Sequence, residues 1–167
     1  MIEILFLSLV QGVTEFIPVS SSSHLLIIST FFKFSNQDLS IDISLHIGSF
    51  IAILFYFRNE LINFIKNKEL FIKIFISSIP VIIVGFILVN YNLIDQLRNI
   101  KVVGWMTIIF GILLFLSDKF DNTKTINKNF NLKAALFIGF LQVLSLIPGV
   151  SRAGIAITAS RMLKFER

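Results

Sequence analysis

Five stretches of the chain contain no Asp, Glu, Lys or Arg and consist mainly of apolar residues. They cover residues 16–32, 43–57, 74–94, 102–117 and 134–151. A helix needs about 20 such residues to cross the hydrocarbon core of a bilayer, and these stretches reach or approach that length. Hydrophobic residues make up 55% of the chain and the mean hydropathy is +0.85, well above the values of soluble domains. The sequence therefore predicts an all-α integral membrane protein, a polytopic helix bundle that forms one membrane domain over residues 1–167.

The basic residues are concentrated in two of the connecting segments. Residues 58–73 and residues 118–133 contain four Lys or Arg each, whereas residues 33–42 and 91–101 contain three between them. Because Lys and Arg are enriched in cytoplasmic loops, we expect the first pair of segments on the cytoplasmic face and the second pair on the outer face. The same rule accounts for the net charge of +5, so the expected surroundings are a lipid bilayer, with no nucleic-acid partner.

Two segments are interrupted by residues that break helices. Residues 1–32 contain Pro18 and a run of four serines, and residues 134–163 contain Pro148 and Gly149. Proline removes a helical hydrogen bond and glycine weakens a helix, so each segment is predicted to form two half-helices or a re-entrant hairpin. Non-helical backbone at membrane depth is tolerated only where protein or water satisfies it. Both breaks also contain a glutamine, an Ile-Pro pair and a serine in that order, which indicates internal repeats that meet at a central site.

Two charged residues, Glu15 and Arg152, lie beside these breaks. A charge at membrane depth is costly without a partner, so we expect both residues to line one cavity. One explanation is an ion pair that only holds helices together. The other is a diphosphate site, because helices that restart near Ser20 and Val150 would present free N–H groups to an anion. Arg152 would add a forked donor suited to phosphate oxygens.

The serine run supplies a candidate nucleophile. His24 follows Ser21 by three residues, which places a base and a hydroxyl on one helical face. Three routes of attack on phosphorus remain open: Ser21 activated by His24 with Glu15 orienting the ring, direct attack by His24, and attack by a metal-bound water. Gln11 lies four residues before Glu15, which places the side-chain oxygens of both residues on one helix face. Together they could hold Mg²⁺ or Ca²⁺, with Glu15 as the candidate carboxylate ligand. His46 is predicted to be a packed or hydrogen-bonded helix residue.

Two motifs carry a resemblance to a known family. The sequence QGVTEFIPVSSSSH at residues 11–24 resembles the first signature of the undecaprenyl-diphosphate phosphatases, enzymes linked to bacitracin resistance, and PGVSRAG at residues 148–154 resembles the second. The sequence LHIGS at residues 45–49 also follows the family's pattern. The resemblance implies an enzyme of the bacterial cytoplasmic membrane that hydrolyses undecaprenyl diphosphate to undecaprenyl phosphate. It further implies a helical fold with an inverted repeat and re-entrant helices, a divalent cation requirement, and a site that opens toward the outer face.

The resemblance also implies residue roles by position. It implies catalysis or diphosphate binding by Glu15, Ser21, His24 and Arg152, and substrate binding by Gln11, Ser20, Ser22, Gly149 and Ser151. Thr158, two residues after the position of the family's usual threonine, is a further candidate for substrate binding. Ala153 and Ala156 stand where the family usually has hydroxyl residues, and family members usually continue through further helices, so we expect the C-terminal helices to be missing here. The alternative function is transport of polyprenyl phosphates without hydrolysis, because broken helices and repeats are also transporter features. A homo-oligomer is a further expectation.

Overall fold

The described part of the chain is helical throughout its regular structure. The computed structural model describes residues 2–34, 39–93, 97, 99–120 and 123–166, and no β-strand is found within them. In chain order the helices are α1 (Ile2–Thr14), α2 (Ser21–Phe32), α3 (Leu39–Tyr56), α4 (Arg58–Lys66), α5 (Lys68–Asn90), α6 (Ile100–Ser117), α7 (Ile126–Asn129), α8 (Leu132–Gln142) and α9 (Arg152–Met162). A 3₁₀ turn, Val143–Leu146, continues directly from α8. The all-α prediction is confirmed.

Within the described residues, two helices are long and apolar enough to cross a membrane by themselves. These are α5, with 23 residues, and α6, with 18, which span about 35 and 27 Å at the helical rise of 1.5 Å per residue. Helices α3 and α4 qualify only together, and they meet at a bend of 76°. Large apolar side chains such as Phe75, Phe86 and Trp105 are exposed on α5 and α6, as expected of surfaces that face lipid. The chain is therefore a polytopic membrane protein, as predicted.

Both segments that contain helix-breaking residues form pairs of short helices. Helices α1 and α2 have 13 and 12 residues, and α8 and α9 have 11 each. Each is about 20 Å long or shorter, whereas the hydrocarbon core is about 30 Å thick. Helix α1 packs on α2, and α9 packs on α8. The predicted broken helices are confirmed, and the inverted repeat stays a prediction.

Helix α5 packs closely against α8 and supports the second pair of short helices. A Cβ atom added at Gly139 of α8 would lie 2.0 Å from the carbonyl oxygen of Ser77 in α5, so a glycine is needed for the two backbones to touch. Helix α9 packs against α6 and α8, and α2 also contacts α6. Helix α6 thus lies between the two broken segments and brings their breaks together.

The two basic segments lie at the same end of the molecule. Lys73 Nζ, at the start of α5, donates a hydrogen bond to the carbonyl oxygen of Phe130 at 2.6 Å. The described parts of residues 58–73 and 118–133 are therefore on one side, as the charge pattern predicted. The assignment of that side to the cytoplasm stays a prediction. Parts of the two segments predicted to face outward, residues 35–38, 94–96 and 98, lie outside the described residues.

A buried arginine, Arg161, links two helix ends on the side of the molecule where the basic segments lie. Arg161 of α9 is 5% exposed, and its guanidinium donates to the carbonyl oxygens of Asp118, Phe120 and Phe165 at 2.7, 2.8 and 3.2 Å. These bonds join the end of α6 to the end of α9. The contact fixes the end of α9, the helix that follows the second break, against the end of α6.

Candidate functional site

The two helix breaks face a common cavity of about 520 Å³. Its polar lining consists of Glu15, Ser20, Ser21, Ser22, His46, Ser145, Ser151 and Arg152. The rest of the lining is apolar and includes Ile43, Ile47, Phe50 and Ile53 of α3. A cavity with one polar wall and one apolar wall suits an amphiphilic ligand.

Each break ends at a helix N-terminus that opens into the cavity. Ser20 precedes α2 and Ser151 precedes α9, both with extended backbone. Ser151 Oγ accepts a hydrogen bond from the N–H of Gly154 at 3.1 Å. Ser20 Oγ caps no backbone N–H and instead accepts the hydroxyl of Ser23 at 2.8 Å. The first N–H groups of a helix carry partial positive charge and attract anions, so two such helix ends meet in this cavity.

Gly149 allows the second break to pack against α6. Its φ of +102° lies in a region that glycine adopts far more readily than other residues. A Cβ atom at this position would lie 2.6 Å from the carbonyl oxygen of Val103. The carbonyl oxygen of Gly149 accepts the hydroxyl of Thr107 at 3.3 Å. These contacts fix the backbone just before Ser151 and Arg152.

Glu15 lies at the centre of a hydrogen-bond network. Its Oε2 accepts the hydroxyl of Ser21 at 2.8 Å and the amide Nε2 of Gln11 at 2.8 Å. The same amide nitrogen is 2.7 Å from Nδ1 of His46, which is itself 3.4 Å from Glu15 Oε2. A carboxylate that accepts a hydrogen bond from a hydroxyl is placed to take its proton. Glu15 and Ser21 therefore have the geometry of a base and a nucleophile.

Arg152 is exposed at the start of α9, on the wall of the same cavity. In the part of the chain that the structure describes, no carboxylate is within ion-pair distance of its guanidinium. Glu15, the partner that the sequence suggested, bonds to Gln11 and Ser21 instead. The guanidinium donors of Arg152 are thus available to an anion that enters the cavity.

Six of the residues proposed from the sequence line this cavity. They are Glu15, Ser20, Ser21, Ser22, Ser151 and Arg152. Gln11 is buried and reaches the cavity only through its bond to Glu15. Gly149 adjoins a smaller neighbouring cavity, and its effect on the site is through the backbone.

His24 is not oriented as the sequence suggested. Its Nδ1 lies 2.8 Å from the carbonyl oxygen of Ser20 in the preceding turn, and a carbonyl oxygen can only accept, so Nδ1 carries the proton. The ring is not among the groups that line the main cavity. The Ser21 hydroxyl donates to Glu15, not to His24. The expected Ser21–His24 pair is therefore absent from the described arrangement.

Thr158 also lies away from the cavity. Its side chain is buried and its hydroxyl donates to the carbonyl oxygen of Gly154 at 2.8 Å. This bond to the preceding turn is common for threonine inside a helix. Ser145 lines the cavity, and its hydroxyl donates to the carbonyl oxygen of Gln142 at 2.7 Å.

His46 is a hydrogen-bonded helix residue, as predicted, but it also lines the cavity, which the sequence reasoning did not predict. It lies in the middle of α3 and contacts both Gln11 and Glu15. The signal that could have identified it is the one that identified Glu15, namely a titratable group within an apolar membrane segment.

The residues present fit a divalent cation only in part. Among the described residues, Glu15 is the one acidic side chain on the cavity wall, and no group of three His, Cys, Asp or Glu could hold a metal ion. Mg²⁺ and Ca²⁺ take about six or more oxygen ligands, and Mg²⁺ often combines one or two carboxylates with substrate phosphates and waters. The site therefore fits a cation shared between Glu15 and a bound phosphate, not a cation held by the protein alone.

Sequence comparisons decide the family. The family model described as bacitracin resistance protein BacA matches residues 4–167. The chain belongs to the BacA family. It is 50% identical over 167 residues to the undecaprenyl-diphosphatase of Pelagibacter ubique, covering 99% of this chain and 65% of that protein. It is 37% identical over 175 residues to the undecaprenyl-diphosphatase of Saccharophagus degradans, covering 97% of this chain and 65% of that protein.

This BacA-family chain is shorter than those relatives. A third similar protein, the undecaprenyl-diphosphatase of a Jannaschia species, is 36% identical over 174 residues, which cover 96% of the chain and 65% of the relative. The chain thus spans about two thirds of the length of the curated relatives it matches. Both helix breaks and the cavity between them lie within the matched region of the BacA model.

Proposed function

We propose that this chain hydrolyses undecaprenyl diphosphate to undecaprenyl phosphate and inorganic phosphate. The observation that carries the proposal is the Ser21 hydroxyl, which donates to Glu15 Oε2 at 2.8 Å in a cavity that Arg152 also lines. The cavity thus combines a nucleophile, Ser21, with a base, Glu15, and a guanidinium that can bind phosphate, that of Arg152. Two helix N-termini add further donors for an anion. The names of the similar proteins, undecaprenyl-diphosphatase in each case, support the same substrate.

The chemistry follows from the positions of these groups. Ser21 Oγ attacks the terminal phosphorus in line with the bridging oxygen and gives its proton to Glu15. The bond between that phosphorus and the bridging oxygen breaks, so undecaprenyl phosphate leaves and a phosphoserine remains. After Glu15 has released its proton to solvent, it accepts a proton from a water molecule that attacks the phosphoserine. The bond between phosphorus and Ser21 Oγ then breaks, Ser21 Oγ takes the proton from Glu15, and inorganic phosphate leaves. Arg152 and the N–H groups at the starts of α2 and α9 stabilise the negative charge on the phosphoryl oxygens in both steps.

The proposal includes a divalent cation, Mg²⁺ or Ca²⁺, that binds together with the substrate. Glu15 would hold it, since the contacts given above for this carboxylate use Oε2 and leave Oε1 to a cation. When bound, such a cation neutralises charge on the diphosphate.

The apolar wall of the cavity suits the polyprenyl chain. Ile43, Ile47, Phe50 and Ile53 recur at intervals of three or four along α3 and line the cavity on one helix face. His46 marks the polar wall, seven residues after the start of α3 and ten before its end, or about 10 and 15 Å at 1.5 Å per residue. The polar wall is therefore nearer the start of α3, which is the end remote from the basic segment 58–73.

This asymmetry supports a site that opens toward the outer face of the bacterial cytoplasmic membrane. If the basic segments face the cytoplasm, the start of α3 faces outward. A lipid of the outer leaflet would then place its diphosphate near Glu15 and its chain along Phe50 and Ile53, toward the membrane centre.

The test is phosphate release from undecaprenyl diphosphate by the purified chain in detergent, with Mg²⁺ or Ca²⁺ present. Ser21→Ala should lower kcat about a thousandfold or more, because the nucleophile is lost. Ser8→Ala is the matched control, since the Ser8 hydroxyl bonds to Ile4 in α1 outside the cavity. A nearly normal Ser21→Ala enzyme with an inactive His24→Ala enzyme would instead support attack by His24. Movement of the lipid from one leaflet of a vesicle membrane to the other, without phosphate release, would support the transport alternative.

A further inference from the structure

His46 is the side chain of α3 that reaches the network around Glu15. It lines the cavity, and its side chain is 38% exposed. Because α1 packs against α3, Nδ1 of His46 lies 2.7 Å from Gln11 Nε2 and 3.4 Å from Glu15 Oε2. An imidazole in an apolar helix is unfavourable without a polar partner, and the Gln11 amide is its hydrogen-bond partner here.

The donors and acceptors of this network fix its hydrogen atoms. The Gln11 amide nitrogen carries two hydrogens and can only donate. One hydrogen is directed to Glu15 Oε2 and the other to His46 Nδ1. Nδ1 of His46 is therefore the acceptor. Reversing the amide would place its oxygen against the Glu15 carboxylate oxygen, which is repulsive.

The oxygen of the same amide does not help to hold it. Gln11 is 1% exposed, and its Oε1 is buried without a hydrogen-bond partner among the described residues. The orientation of the amide thus depends on the two acceptors that its nitrogen contacts. One of these acceptors is Glu15 itself, so the independent anchor is His46.

We propose that His46 is a positioning residue that orients the Gln11 amide and, through it, the Glu15 carboxylate toward Ser21. The inference rests on the proposed phosphatase function. Without the Nδ1 acceptor, one amide hydrogen loses its partner and the amide is free to turn away from Glu15. The carboxylate then loses a donor that fixes its Oε2 at 2.8 Å from the Ser21 hydroxyl.

The positioning role of His46 is tested by replacing it with leucine or asparagine, two side chains of nearly equal shape. His46→Leu removes the acceptor, whereas His46→Asn keeps an amide oxygen close to the Nδ1 position. We expect His46→Leu to lower kcat about tenfold, the lower end of the range for groups that orient a functional side chain, with KM for undecaprenyl diphosphate little changed. His46→Asn should restore most of kcat. A Leu enzyme with normal kcat, or an Asn enzyme as impaired as the Leu enzyme, would overturn the proposal.

A double substitution separates positioning from packing. In a Gln11→Ala background the link between His46 and Glu15 is already broken, so adding His46→Leu should lower kcat no further. Fully additive effects would mean that His46 acts by packing alone and would also overturn the proposal. If the unmodified chain releases no phosphate, the proposed function fails and this inference with it. An active chain that is insensitive to His46→Leu refutes the inference alone.

Discussion

Glu15 is the residue on which most of the proposed chemistry depends. Its Oε2 accepts hydrogen bonds from Ser21 and Gln11, so its position and its protonation are tied to the nucleophile. A neutral amide of the same shape could keep the fold but could not accept a proton.

Glu15→Gln should therefore lower kcat for phosphate release about a hundredfold or more, the usual range for loss of a general base. The thermal unfolding temperature in detergent should change little, because the amide retains an oxygen that accepts from Ser21. Glu60→Gln is the control, since Glu60 is an exposed carboxylate of α4 outside the cavity. Similar losses in both variants would contradict the assigned role.

The sequence predicted the positions of some cavity residues better than those of others, for a physical reason. Glu15 and Arg152 were identified because an isolated charge in apolar sequence needs compensation whatever the fold. His24 was favoured because Ser21 is three residues away, but its Nδ1 bonds to the backbone of its own helix. His46 contacts Gln11 across 35 residues of sequence. Such a contact depends on how α1 packs on α3, which local spacing does not contain.

Helix breaks were predictable where proline and glycine cause them. Pro18 lies between α1 and α2, and Pro148 and Gly149 lie before α9. The bend of 76° between α3 and α4 was not predicted. The residues that join these helices, Tyr56, Phe57 and Arg58, include neither proline nor glycine, so the sequence carries no local signal for it.

The contact between α5 and α8 offers a test of how the second broken segment is supported. Gly139→Ala would force a methyl group against the Ser77 carbonyl oxygen and should destabilise the fold by about 1–3 kcal/mol or more, as overpacking does. Gly104→Ala is the matched control on α6, where an added Cβ meets nothing within 4 Å. Thermal unfolding in detergent should show a lower midpoint for the first variant and no loss for the second. An unchanged unfolding midpoint in both variants would show that α5 and α8 can move apart to accept the methyl group without loss of stability.

At the scale of the whole molecule, the basic-residue pattern and the fold agree on one point. Residues 58–73 and 118–133 meet through the bond between Lys73 and Phe130. The charge rule requires only that both segments face the same compartment. The structure adds direct contact between them, which composition alone could not predict.

The absence of cysteine from the chain makes its topology easy to measure. Single cysteines at Asn63 and Thr123 should react with a membrane-impermeant thiol reagent from the same side of a sealed vesicle. A cysteine at Asn92, after α5, should react from the other side, because α5 spans the membrane between them. Labelling of Asn63→Cys and Thr123→Cys from opposite sides would overturn this topology.

The difference between the two helix starts has a consequence for water. The N–H of Gly154 is capped by Ser151, whereas no side chain in the described part of the chain caps the start of α2. Ser23 occupies the equivalent third position there and adjoins a cavity of about 170 Å³, large enough for several water molecules. An unpaired N–H at membrane depth must be hydrated, so the amide of Ser23 should exchange with deuterium much faster than that of Gly154. Hydration of this cavity would also bring into the membrane interior the water that attacks the phosphoserine. Equally slow deuterium exchange at the amides of Ser23 and Gly154 would mean that this water has to enter with the substrate.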